Sequence, residues 1–578
     1  MSIPKHHPEN AFAYNYRGCL KHFAGKHQEA IEDFDEAIKL DPEYADAYNN
    51  RGGAKSNLKK YQESIKDYGK AIRLNPNSAT AYYNRGIVKH DSGKYQDAIK
   101  DYNKAIKLNP ENGSIYSSLG YTQMKLGKYQ KAIKDYNKAI ELSPTFTEAH
   151  YNLGVVKNDL GKYQEAIEDY NKAIELNPKY QNAYFNRAMT NEKLGYYQEA
   201  ISDYDKFIEH NAENIESYCY RGQAKMMVGM YQEAIEDCNI ALQLKPEYEI
   251  AYYLCGNIKN AIGKHQEATE DYDKAIELNP QYIDAYVNRG IAKADLENYQ
   301  EAIEDYNKAI ELDPKEANAY SNRGNAKRDL GKYEEATEDQ NKAIALNPKE
   351  ASYYNNRGNI NNDLGKCEEA IEDYNKAIEL NPKYATAYSN RGMAKRKLGK
   401  YQEAIEDYNK AIELNPQNEN AYYFRGIVRY NLGNYQQAIE DYNKVIALNP
   451  QDETNYNARG NAKRELGNYQ EAFEDYNKAM ELDPKYQNAY FNRAITNEKL
   501  GNYHKVIEDY DKVIELNSKY TGAYWNRSLA YALLHDKQGV LPSLQEAIIL
   551  DDVYKTKAKE AEEFSWLQND SDFQALLQ

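Results

Sequence analysis

The sequence predicts an all-α solenoid, a stack of short helix pairs with no central core. Two observations carry that prediction. The first is a fixed period. Residues 385–418 read ATAYSNRGMAKRKLGKYQEAIEDYNKAIELNPQN, and this register recurs every 34 residues without a gap from Ala11 to Tyr554, giving sixteen units. A period of this length dictates the architecture before any local motif does. The second is that each unit carries two apolar stripes at helical spacing, each closed by a helix breaker.

Within 385–418 the first pattern runs from about Thr386 to Leu398 and stops at Gly399, a residue suited to a left-handed helix end. The second runs from about Gln402 to Leu414 and stops at Asn415-Pro416, because proline cannot continue a helix. Gly392, Ala404 and Ala411 are small where the two helices are expected to cross. Tyr388, Leu398, Tyr401, Ile405, Tyr408, Ile412 and Leu414 recur at helical spacing and are assigned to the apolar faces. Some units depart from the pattern. Lys59 and Glu297 stand where the inter-helix glycine belongs, and Gln340 stands where a core tyrosine belongs. A buried Gln340 would need hydrogen-bond partners.

Three regions follow: 1–10, 11–554 and 555–578. Residues 1–10 show no helical pattern and are expected to fray. The repeats fill 11–554, the second helix of the last one being expected to start close to Pro542. Residues 555–578 lie outside the frame and are expected to form capping helices, because a solenoid's last repeat exposes a core face. KTKAKEAEEFSWL reads as one amphipathic helix with Ala558, Ala561, Phe564 and Leu567 on one side, and DSDFQALL opens with an aspartate N-cap signature.

Composition excludes several classes of function. Mean hydropathy is −0.94, and no apolar run approaches the roughly 20 residues of a membrane span. MSIPKHHPEN lacks the apolar stretch of a signal peptide, so the expected compartment is cytoplasmic. A net charge of −16 argues against nucleic acid as partner. The five cysteines form no CxxC, which points to buried free thiols and away from a metal site. GxxxxGK[ST], HExxH and GxSxG are absent. Acidic pairs such as Glu406-Asp407 recur in nearly every unit, whereas catalytic carboxylates are singular and differ in environment. No catalytic residue and no cofactor is therefore expected.

The period and its fixed residues resemble the tetratricopeptide repeat. In 385–418 these are an aromatic at the fourth place (Tyr388), Gly at the eighth (Gly392), Ala at the twentieth (Ala404), an aromatic at the twenty-fourth (Tyr408), Ala at the twenty-seventh (Ala411) and Pro at the thirty-second (Pro416). The resemblance covers 11–554 and implies a right-handed superhelix whose concave groove binds a protein or peptide. The pentatricopeptide family has a period one residue longer, and no such drift occurs here. The carboxylate clamp of chaperone adaptors requires Lys at the second or fifth place, and no unit has one.

Two recurrent sets are candidates for function. The seventh place is Arg in 13 of 16 units, as in Arg391, where the family commonly has Leu; the twenty-third is Asp in 15, as in Asp407. An inward-leaning Arg needs an anion, so an internal ion pair is favoured over a ligand contact, with Asp407 or Asp373 as the partner of Arg391. The sixth place is Asn in ten units, and the longest run is Asn288, Asn322, Asn356 and Asn390. The resemblance places it in the groove, where it is similar to the asparagine ladder of O-linked N-acetylglucosamine transferases. An amide is both donor and acceptor and can grip an extended main chain; the alternative is a merely polar surface. Asn325, Asn359 and Asn461 add amides at the ninth place, and Arg328, Arg396 and Arg464 add positive charge at the twelfth. Together they suit an acidic extended peptide. The expected function is a non-catalytic interaction scaffold for extended peptide or a partner helix. A regulatory or targeting subunit of an enzyme complex and an RNA-binding solenoid are the alternatives. The sequence does not set the oligomeric state.

Overall fold

The computed structural model describes residues 8–578. Among them the chain is all-α: 34 α-helices and one 3-10 helix, with no strand. Two compact units divide it, one ending at Ala292 and the other starting at Lys293. In each, helices of 12 to 16 residues come in pairs repeating every 34 residues, the first helix of a pair beginning one place earlier than its pattern suggests. In repeat twelve the pair is Ala385–Lys397 and Tyr401–Leu414. The first repeat helix starts at Pro8, three residues ahead of the repeat frame. Most of the segment expected to fray, 1–7, lies outside the described residues.

Local chemistry makes each pair. Gly399 adopts φ +73°, the left-handed conformation that turns the chain between the helices. Lys59 and Glu297 take the same turn at φ 58° and 62°, so the turn is imposed by packing even where a side chain resists it. After the second helix, the Asn415 N–H donates to the Ala411 carbonyl, and the Asn415 side chain accepts from the Gln417 N–H at 3.0 Å. This Asx turn aims the chain into the next first helix.

Packing is local and repetitive. Ala404, Tyr408 and Ala411 are fully buried and pack with Ala421 and Val428 of the next repeat. A Cβ added to Gly392 would stand 2.9 Å from a Tyr408 ring carbon. The glycine therefore makes room for the tyrosine ring rather than for a bare backbone crossing. At Gly222, opposite Cys238 in place of Tyr, the nearest atom is 3.3 Å away. Gln340 is fully buried, and the sequence's demand for partners is met. Its amide donates to the Ser321 carbonyl (2.8 Å) and to Asn325 Oδ1 (3.2 Å), and its oxygen accepts from the Ser321 hydroxyl (3.0 Å).

The C-terminal end differs from the expectation in two details. The second helix of repeat sixteen is Lys537–Leu550, starting five residues before Pro542, with Asp536 as its N-cap accepting from the Gly539 N–H. The expected single amphipathic helix is broken at Ala561, whose ψ of 123° is extended, into an α-helix Val553–Glu560 and a 3-10 turn Glu562–Leu567. The break lets Phe564 and Leu567 turn onto Val540 and Leu544, where Phe573 and Leu577 join them. Asp570 caps Ser571–Leu576 as its sequence suggested.

Candidate functional site

The Arg-Asp recurrence resolves into a structural ion pair. Arg391 donates from Nε and Nη2 to Asp407 at 2.9 and 2.5 Å, and its Nη1 donates to Asn375 of the preceding repeat at 2.6 Å. Asp407 is thus the partner, and Asp373 serves Arg357 instead. Lys395 Nζ reaches Asp407 Oδ2, the oxygen that also accepts from Arg391 Nε, at 2.9 Å. The same bidentate pairing joins Arg17 to Asp33, Arg221 to Asp237 and Arg459 to Asp475. The pair Glu406-Asp407, alike in sequence, splits in space: Glu406 is exposed and Asp407 buried.

A third member went unrecognised in the sequence. The fourth-place tyrosine is not plain core: the Arg391 guanidinium lies over the Tyr388 ring at 5.4 Å. Every repeat with Arg at the seventh place shows this stacking. A planar, weakly hydrated guanidinium suits both a carboxylate fork and an aromatic face, which lysine cannot match. The available signal was the shared recurrence of Tyr and Arg three residues apart on one helix.

The carboxyl's proton affinity depends on how many cations reach it: Asp203 and Asp509, which keep the Arg but have Asn191 and Asn497 in place of the lysine, are raised by burial. Beside Leu119, Asp135 has Gln123 as its hydrogen-bond donor (2.7 Å), and burial pushes its carboxyl up to about 6. Asp169, beside Leu153, and Asp271, beside Cys255, are also raised, burial again being the main cause. Asp33, with Arg17 and Lys21 both in reach, is held low despite its burial.

The asparagine set is built differently. Residues at the second, fifth, sixth, ninth and twelfth places of successive first helices share one face and line open cavities in three stretches of the chain. One, of about 340 Å³, is bounded by Tyr423, Tyr430, Asn457, Asn461 and Tyr486. On this face several of the sixth-place amides, Asn288, Asn356 and Asn390 among them, bridge to the preceding repeat. Asn390 Nδ2 donates to Asn355 and Asn359 Oδ1, both at 3.0 Å. Asn356 Nδ2 donates to the Ser321 hydroxyl at 3.1 Å. In the first unit Asn288 Nδ2 donates to the Tyr253 hydroxyl and Asn257 Oδ1 at 3.0 and 2.8 Å.

The ninth-place asparagines have the opposite polarity. Asn359 Oδ1 accepts from the Tyr374 hydroxyl and Asn390, Asn325 Oδ1 from Gln340, and Asn461 Oδ1 from the Tyr476 hydroxyl. Among the described residues no internal hydrogen bond takes the Oδ1 of Asn356 or Asn390, or the Nδ2 of Asn325 or Asn359. Asn322 makes no side-chain hydrogen bond there at all. All are half-buried.

The arginines are mostly engaged already. Arg328 donates to Asp329 at 2.8 and 3.0 Å with Asp363 at 3.6 Å, and Arg464 to Glu465 at 3.0 Å. Arg396 lies over the Phe424 ring at 5.3 Å, and its buried Nε has no partner. All five cysteines are free, four of them buried. Among the described residues no cluster of His, Cys, Asp and Glu could hold a metal, and no helix is long and apolar enough to cross a membrane.

Comparison with known proteins agrees with this construction. A tetratricopeptide repeat profile matches residues 147–180, 283–316, 385–418, 419–452 and 488–520. A TPR repeat profile matches 23–59, 56–93, 88–127, 124–157, 256–296, 324–365, 358–399 and 460–501, and a further tetratricopeptide profile 169–202 and 305–338. No curated protein matches the chain. Similar solved structures include the APC/C hetero-tetramer Cut9-Hcn1, at 17% identity and TM-score 0.39 over 78% of this chain and 96% of that one. Two MamA structures match at 29% and 27% identity, each with TM-score 0.27, over 30% and 28% of this chain and 93% and 96% of theirs. With its period, helix pairs and profile matches in accord, the chain belongs to the tetratricopeptide repeat family.

Proposed function

We propose that the chain is a non-catalytic protein-interaction scaffold that holds an extended peptide on the first helices of its second unit. The observation that carries this is the division of labour among the asparagines. Asn356 and Asn390 spend their donors on the neighbouring repeat and keep an acceptor; Asn325 and Asn359 spend their acceptors and keep a donor. A peptide main chain offers alternating N–H and C=O groups, which such a row satisfies with little demand on sequence. Asn322 supplies both, and Asn288 holds the corresponding place in the first unit. Arg396 favours an acidic residue in the ligand, since Arg328 and Arg464 already have carboxylates beside them.

A displayed library of random decapeptides, enriched on the full chain, supplies the probe. Asn322→Ala breaks no internal hydrogen bond, and Arg396→Gln removes the charge together with the guanidinium's stacking over Phe424. Each should weaken the selected peptides by about tenfold, one charged or well-placed hydrogen bond, with unchanged helical signal. Undiminished binding by both variants refutes the site. Retardation of single-stranded RNA in place of peptide binding refutes the scaffold reading.

A further inference from the structure

The first unit carries a cavity with a different chemistry. At the seam of repeats seven and eight, a cavity of about 310 Å³ opens on the same face of the first helices that carries the asparagine row elsewhere. Here Tyr220 and Leu254 occupy the asparagine places. Four tyrosines line the cavity, Tyr220, Tyr248, Tyr253 and Tyr282, together with Glu216 and Gln223. The Tyr253 and Tyr282 rings meet at 4.9 Å with a tilt of 42°. Met226, Ile250, Leu254 and Cys219 complete an apolar wall.

Charge and hydrogen bonding both point to a donor-rich cation. No Lys, Arg or His lines the cavity. Glu216 has no ion-pair partner among the described residues, nor do Glu249 and Asp284 nearby. Burial, and then neighbouring acidic groups that include Glu216 and Glu249, push the Tyr248 hydroxyl up to about 12. Tyr282 is raised by burial first, with Asp284 and Glu249 contributing. The Tyr248 ring already attracts the Lys245 ammonium, which sits 4.9 Å from its centroid. The hydroxyls of Tyr220, Tyr248 and Tyr282 take part in no hydrogen bond within the described chain and remain open as acceptors.

We propose that this cavity binds the guanidinium of an arginine carried by an extended peptide. A guanidinium stacks flat on tyrosine faces, forks onto the Glu216 carboxylate and donates its remaining N–H groups to tyrosine hydroxyls and the Gln223 carbonyl. A quaternary ammonium would use the rings but leave these acceptors unmet. A lysine ammonium is compact and strongly hydrated and gains less from the aromatic walls. The site stands apart from the asparagine row of the second unit and does not depend on it.

The test is fluorescence anisotropy of labelled Gly/Ser decapeptides titrated with the full chain. Four peptides differ at one central residue: arginine, citrulline, lysine or trimethyllysine. Citrulline keeps the shape of arginine and loses the charge. The arginine peptide should bind at least about tenfold more tightly than the other three, the scale of one charge-assisted hydrogen bond. Glu216→Gln, at an exposed position that leaves the fold intact, should erase the difference between arginine and citrulline, while Asn322→Ala should leave it unchanged. L-arginine amide should compete only at concentrations far above the peptide's Kd. Equal binding of citrulline, tighter binding of trimethyllysine, no binding of the arginine peptide at millimolar protein, or an unaffected Glu216→Gln variant overturns the proposal. Competition by free arginine amide at the peptide's own Kd overturns the assignment to a peptide.

Discussion

Removing Asp407 should damage repeat twelve more than removing Arg391. Asp407 has a side chain 5% exposed and accepts from Arg391 at 2.9 and 2.5 Å and from Lys395 at 2.9 Å. Asp407→Ala leaves two cations, 18% and 14% exposed, with only the exposed Glu403, 3.6 Å from Lys395, as a nearby anion. Loss of one partner from a buried pair costs about 3–5 kcal/mol. Arg391→Leu is milder, because Lys395 still neutralises the carboxylate. Its loss corresponds to charged hydrogen bonding of about 1.5–3 kcal/mol, offset in part by the apolar burial of leucine. Leu153 shows that arrangement in the chain itself, with Lys157 bound to Asp169 at 2.7 Å. In the double variant the two losses should not add, because both report one interaction. Global melting blurs such effects in a repeat array, so amide hydrogen exchange of peptides from 385–418 is the appropriate assay. Faster exchange in Asp407→Ala than in Arg391→Leu is expected. The reverse order, or wild-type protection in both, refutes the claim that the carboxylate is the hub of the pair.

Lys59→Gly should stabilise its repeat by about 1 kcal/mol, because it removes the left-handed strain of a residue with a Cβ; slower local exchange in 45–78 would show it. Gly392→Leu should cost about 1–3 kcal/mol by driving a side chain into the Tyr408 ring, whereas Gly392→Ala should be milder, since Ala188 and Ala494 hold the same place opposite Tyr204 and Tyr510; amide exchange within 385–418 in the two variants decides. Asp135 titrates near 6 in the folded chain against an ordinary value of 3.8, so the folded state binds its proton more tightly than the unfolded state does. Its ionisation therefore destabilises repeat four above about pH 6, and that penalty disappears as the pH falls toward 4. Asp135→Asn should flatten this part of the stability profile relative to wild type, and an unchanged slope between pH 4 and 6 would show that the carboxyl titrates normally.

The sequence by itself determined the helix pairs, their order and their repetition. These are local properties: glycine or proline closes each helix, and apolar residues recur at 3.6-residue spacing within it. That Gln340 would need partners if buried, and the Asp570 cap, were legible for the same reason, since a substituted core place or a cap residue announces its need; which groups satisfy Gln340 was not. Other features were decided only by tertiary structure. Sequence spacing left Arg391 with two candidate aspartates; antiparallel packing brings Asp407 under it and gives Asp373 to Arg357. Tyr388 was assigned to the apolar face, because hydropathy cannot separate a buried ring from one that carries a guanidinium. The cap helix breaks at Ala561, where burying Phe564 against Val540 and Leu544 outweighs continued helix. The asparagine row was visible as a row, but which atom of each amide faces outward is a matter of the repeat behind it. Hydrogen bonding across the seam consumes the donor of Asn390 and the acceptor of Asn359, and no pattern within one repeat encodes that choice.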